Sequence, residues 1–119
     1  MSTTFYDKSG NAHSYSDANN NIFDFAGNPV GYIYQDKIYS FDGRHLGWLI
    51  NNWMTDNHGN GVLFSCGATG GPVTPAVHSA PAKKSKHPLP AKHARQHTPV
   101  RPTLKHRWSA VVTAANFFH

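Results

Sequence analysis

Ile38-Tyr39-Ser40-Phe41-Asp42-Gly43, with Trp48 five residues past its glycine, is one of four versions of a single phrase in this chain. The others are Phe5-Tyr6-Asp7-Lys8-Ser9-Gly10, Ile22-Phe23-Asp24-Phe25-Ala26-Gly27 and Met54-Thr55-Asp56-Asn57-His58-Gly59, so that Gly10, Gly27, Gly43 and Gly59 follow at intervals of 17, 16 and 16 residues. Each phrase runs from apolar or aromatic residues into a turn. Asp7, Asp24, Ser40 and Asp56, three residues ahead of the glycine, offer a side-chain oxygen to backbone N–H groups, and the glycine takes the left-handed conformation that other residues resist. That is the chemistry of a hairpin with a type I turn and a bulge. Tyr15, Tyr32, Trp48 and Phe64 stand five residues after the four glycines, with His13, Val30, Leu46 and Val62 two positions earlier. Period-two spacing of this kind reads as strand.

The expected fold is therefore all-β: four sequential β-hairpins in a pseudo-fourfold closed arrangement over residues 1 to 73. An isolated hairpin is marginal in water because its apolar face is uncovered, so the four must pack on one another. If Tyr15, Tyr32, Trp48 and Phe64 converge on a common axis, each contributes about 1.5 to 3 kcal/mol by burial. Closure also leaves few exposed sheet edges. The first unit is the weakest, since His13 and Asp17 occupy positions that are apolar in the second and third units. It reads as an end repeat, or as one that needs covering from elsewhere.

The remaining residues differ in kind. Residues 1 to 73 carry Lys8, Lys37 and Arg44 against six aspartates, whereas residues 74 to 119 carry eight Lys or Arg and no acid. Residues 74 to 107 hold six prolines, five histidines and all eight of those cations without one aromatic, too little apolar surface to offset chain entropy. This predicts a disordered basic linker, followed over residues 108 to 119 by a short helical or extended C-terminal tail. At 119 residues the chain has room for one small core. It holds no apolar run near the roughly 20 residues of a membrane helix, and a beginning without the basic and apolar segments of a secretory signal points to the cytoplasm. The single Cys66 excludes an internal disulfide and a multi-cysteine zinc site.

Phe5-Tyr-Asp-Lys-Ser-Gly-Asn-Ala, Ile38-Tyr-Ser-Phe-Asp-Gly-Arg-His-Leu-Gly-Trp48 and Ala68-Thr-Gly-Gly-Pro-Val73 resemble the bacterial proteins called 4-fold beta flower domain proteins. The resemblance covers residues 3 to 73 and extends to Trp108-Ser109 and Phe117-Phe118, which look like a closing motif after a Lys/Pro-rich spacer. It implies four hairpins arranged as petals, and it carries no established activity and no catalytic residue. The spacer here is more varied and richer in His than the regular repeats of similar proteins.

Few residues are candidates for chemistry. Asp7, Asp24 and Asp56 share one turn position, which assigns them to capping rather than to acid–base catalysis. His93 and His97 have a ligand-like spacing, but in a cationic, proline-studded segment that repels a divalent ion, so neither a metal nor a cofactor is expected. Arg44 and His45, beyond the third turn, form a possible anion site; Cys66 reads as a small buried apolar side chain. Gly67-Ala-Thr-Gly70-Gly71-Pro72 lacks the Lys-Ser/Thr of a phosphate loop and reads as a turn leaving the last strand. Trp108, Phe117 and Phe118 need a surface to dock on, because a dozen residues do not hold a helix alone. The functional expectation is a non-enzymatic protein-interaction module: a rigid scaffold with a tethered aromatic docking peptide, engaging an unknown protein or a second copy. The alternative is weak, nonspecific binding of nucleic acid or an anionic surface through the basic linker.

Overall fold

The computed structural model describes residues 2 to 119, and its eight strands follow the four phrases. They are β1 (Thr3–Tyr6), β2 (Ala12–Ser16), β3 (Asn21–Asp24), β4 (Pro29–Tyr34), β5 (Lys37–Tyr39), β6 (His45–Ile50), β7 (Trp53–Thr55) and β8 (Gly61–Phe64). Each strand pairs antiparallel with the next, and β8 returns to β1 to close a barrel. The closing seam is a single register pair, Tyr6 with Phe64, so it is the weakest joint of the ring.

The turns form as their sequences require. Asp7 Oδ1 accepts the N–H groups of Ser9 and Asn11 at 2.9 and 3.0 Å, and Asp24 and Asp56 do the same for Ala26 and Asn28 and for His58 and Asn60. Gly10, Gly27, Gly43 and Gly59 have φ between 83° and 93°, and each donates its N–H to the carbonyl three residues back. In the third turn the cap is divided: Ser40 donates its hydroxyl to Asp42, and Asp42 receives the Arg44 N–H. Asp17, conspicuous in the sequence only for breaking an apolar position, caps the β2–β3 turn for Asn19 and Asn21.

Register decides which side chains share the core. Phe5, Ile22, Ile38 and Met54, one from each phrase, form the common cluster with Val62, Leu63, Phe117 and Phe118. The expectation that Tyr15, Tyr32, Trp48 and Phe64 meet on the axis is corrected. All four are buried, yet they lie on the other strand face, where Tyr15 opposes Phe23, Tyr32 opposes Tyr39, Trp48 opposes Thr55 and Phe64 opposes Trp53. Their sequence neighbours Ser14, Gly31, Gly47 and Leu63 point inward instead, since successive strand residues take opposite faces. Eight short strands enclose only enough space for packed side chains, and small residues at three of these four positions leave it for Phe117 and Phe118.

Residues 74 to 107 are not a disordered linker. They have no regular secondary structure, but they form an ordered strap that passes the four glycine turns in chain order. His78 donates its N–H to the Gly10 carbonyl, His87 to Gly27, Gln96 to Gly43 and Lys105 to Gly59, all at 2.8 to 2.9 Å. About 34 residues of extended, proline-rich chain reach roughly 105 Å, which is close to one circuit of a molecule 36 Å across. The strap is ordered despite its composition because it does not need a core of its own. It borrows backbone partners and aromatic faces from the barrel, and its prolines lower the entropy lost on ordering.

Candidate functional site: the strapped barrel and its closed mouth

The strap lies against aromatic rings that the barrel turns outward. Lys83 Nζ sits 4.6 Å from the centre of the Tyr15 ring and Lys92 Nζ 4.4 Å from that of Tyr32. Trp48 has Lys37 at 5.8 Å, and Phe64 has Trp108 edge-on at 6.1 Å between ring centres. Each of the four outward aromatics is thus covered, three by a cation and one by an indole. Arg95 stacks over Tyr34, Lys86 reaches both Phe23 and Asp17, and Arg101 pairs with Asp36 at 2.8 Å. The Asp17 carboxyl is opposed by partial burial, but the Asn21 and Asn19 N–H groups and Lys86 outweigh that and hold it below the usual carboxylate range.

Beyond Lys105 the strap changes role. Gly61 and Trp108 form a parallel bridge in which the Gly61 N–H donates to Arg107 and the Ser109 N–H donates to Gly61. Trp108 packs edge-on against Trp53, so this stretch reinforces the barrel beside its thin seam. The Ser109 hydroxyl also reaches Asp56. Burial works to raise the Asp56 carboxyl, and it is overcome by Ser109, by the Asn60 and His58 N–H groups and by the Asn60 side chain, leaving it below its ordinary value.

The tail then crosses the barrel end from which the glycine turns project. Phe117 and Phe118 are 3% and 7% exposed, values typical of the barrel's own core residues. A side chain at Gly47 would meet the Phe117 ring and one at Gly31 the Phe118 ring, so two glycines on the inner face make the socket. Val30 and Leu46 pack on the same cluster, and His13 stacks on Phe118 with ring centres 6.0 Å apart and planes 12° from parallel. The expected helical or extended tail is neither: residues 113 to 119 make one tight turn, with the Phe117 N–H bonded to the Thr113 carbonyl. Clefts of about 190 and 480 Å³ flank the tail, the first beside Asp7–Ser9 and the second beside Asp56–Asn60.

The other sequence candidates fall apart as sites. Arg44 Nε lies 3.0 Å from Asp42 Oδ2, while Nη1 lies 3.5 Å from the His119 carbonyl oxygen. His45 is buried, its ring edge-on to Tyr39 and Trp48, and burial lowers its pKa. The two therefore do not converge on an anion. Cys66 is exposed rather than buried, because β8 has already ended and its side chain leaves the barrel. Among the described residues no group of three His, Cys, Asp or Glu side chains is placed to hold a metal, and no helix is long and apolar enough to cross a membrane.

Sequence reasoning missed the strap, although a signal for it exists. Ala76, Ser85, Ala94 and Thr103 present their carbonyls to the four glycines, and the following pairs in the same frame are Lys83 with Lys92 and Pro81 with Pro90 and Pro99. The strap repeats every nine residues, once per hairpin.

Residues 3–118 match the family model described as 4-fold beta flower protein, so the match takes in the barrel, the strap and the tail together. No curated protein and no solved structure is significantly similar to the chain.

Proposed function

Because the chain belongs to the 4-fold beta flower family, we propose that it works as a non-enzymatic protein-interaction module whose binding site is the mouth of the barrel. The observation that carries this reading is the burial of Phe117 and Phe118 against Gly47 and Gly31. Two aromatic side chains on a short, turn-forming segment, held by an apolar socket at the end of a rigid scaffold, are a receptor and its ligand within one chain. The ligand is tethered by the Gly61–Trp108 bridge, which keeps its effective concentration high, so a competing aromatic peptide or the tail of a second copy must overcome that advantage.

The test compares the full chain with Phe117→Ala/Phe118→Ala and with a chain ending at Arg107, using a labelled peptide of residues 108 to 119. The full chain should bind the peptide weakly and the two altered chains clearly more tightly. Equal binding by all three, with unchanged oligomeric state, would rule the mouth out as the site.

A second reading has its own support. Lys83, Lys92 and Arg95 are held at defined stations by aromatic rings on the outside of the barrel, an arrangement suited to a linear polyanion following the rim. Tyr15 and Tyr32 beneath the two lysines are buried and offer bases nothing to stack on, and Tyr34 beneath Arg95 is the one exposed ring, so such binding would be chiefly through phosphate and steeply salt-dependent. Retention on DNA that ignores salt would dismiss it.

A further inference from the structure

We propose that His13 makes the docked tail acid-labile, so that protonation of its ring releases the segment after Ser109 from the mouth. This rests on the reading of the mouth as the binding site and adds its regulation. His13, Val30, Leu46 and Val62 are equivalent positions, and three of the four are aliphatic. Each is the extra residue of a strand irregularity, His13 falling between Ala12, which pairs with Tyr6, and Ser14, which pairs with Phe5. Val62 belongs to the core cluster, and Val30 and Leu46 pack on it. One unit alone places an ionisable ring there, and that ring is the one stacked on Phe118.

The neighbours suit a neutral imidazole. Nδ1 lies 3.3 Å from the Ser14 hydroxyl, from which it can accept, and the Ala114 carbonyl of the tail faces the ring. With Nδ1 accepting, the neutral ring carries its one N–H on Nε2. Protonation places a charge in a partly buried site against an apolar ring, beside His119, whose own charge would repel it. The groups facing His13 are Asp7 on the first turn, Asp24 at the end of β3, and His119 on the tail. The two aspartates and the Ala114 carbonyl favour the cation, and burial outweighs them, so the folded pKa lies below the ordinary 6.5. The docked state therefore prefers the neutral ring; its stabilisation is complete above the ordinary histidine value and is lost as pH falls through the lowered one.

The experiment measures hydrogen exchange of the amides of residues 110 to 119 in the full chain at about pH 7.5 and about pH 5, corrected for intrinsic exchange. The unaltered protein should show a several-fold loss of tail protection in acid, while His13→Val, which installs the side chain of Val30 and Val62, should keep the tail protected at both values. An equal acid response in His13→Val, or no acid response in the unaltered chain, overturns the proposal. Should His13→Val not fold, the His13 ring is titrated by NMR in the full chain; a midpoint equal to that of a histidine peptide also overturns it. Phe118→Ala separates the two layers of the argument. If it leaves tail exchange unchanged at neutral pH, docking itself is wrong, whereas a docked tail that ignores pH removes only the latch.

Discussion

Barrel and strap both count to four, and they do it by different physics. The barrel repeats every 16 or 17 residues and holds each unit by strand ladders and by shared burial of Phe5, Ile22, Ile38 and Met54. The strap repeats every nine and holds each unit by a backbone bond to a glycine carbonyl, with a second backbone bond at Phe25 and at Phe41 and with cations laid on aromatic faces along the way. The barrel draws most of its core from its own strands; the strap finds its partners elsewhere. A polar, proline-rich segment can thus be ordered without a core when a regular scaffold supplies matching acceptors at matching intervals.

The sharpest way to break the barrel and leave the strap's chemistry untouched is Gly47→Ala. Its added methyl would fall on the Thr55 carbonyl oxygen and crowd Phe117. The expected loss is about 3 kcal/mol or more, seen as a collapse of the denaturant midpoint together with release of the tail. An effect below about 1 kcal/mol would mean that the inner face is less tightly packed than its contacts imply.

Gly43→Ala strikes the point where the two regions meet. Its φ of 93° strains any side chain, and the new methyl would meet the strap carbonyl of Ala94. We expect a loss of about 2 to 3 kcal/mol with the largest rise in hydrogen exchange at His93 and Gln96, whose N–H groups bond Phe41 and Gly43. If exchange rises instead across the barrel strands and spares these two, the strap is not coupled to the turns one by one.

Asp56 tests the junction of barrel, strap and tail through pH. Its folded pKa lies below the ordinary carboxylate value, so its contribution is complete above that value and disappears as pH falls through the lowered one. Asp56→Asn should flatten the acid limb of the stability profile, and Ser109→Ala should flatten it in part. A profile unchanged by either substitution would remove Asp56 from the acid response.

The smallest effect is expected of the strap's cations. Lys92→Met keeps the stem over Tyr32 and removes the charge, costing at most about 0.5 to 1 kcal/mol. Local exchange near residues 92 to 96 should rise and global stability should barely move. A global loss would show that charge on aromatic faces, rather than backbone bonding, holds the strap.

How much was legible follows the same division. The turns could be read because Asp7, Asp24 and Asp56 act on amides two and four residues away, and the glycines at 10, 27, 43 and 59 have a local reason to exist. His13 could be singled out as the odd member of an aliphatic set, although its contact with Phe118 could not. The strap was misread because Lys83 and Arg101 bond Ser2 and Asp36, 81 and 65 residues away.

The sequence by itself determined that there are four hairpins, where each one turns, and which residues alternate along each strand, since these depend on backbone conformation and near neighbours. Only the tertiary structure decided that Phe5, Ile22, Ile38 and Met54 face inward while Tyr15, Tyr32, Trp48 and Phe64 face the outside, because a period of two separates the faces without saying which encloses the core. It also decided that residues 74 to 119 wrap and close the barrel. Their order depends on acceptors, aromatic rings and a glycine-lined socket that exist only once the four hairpins have come together.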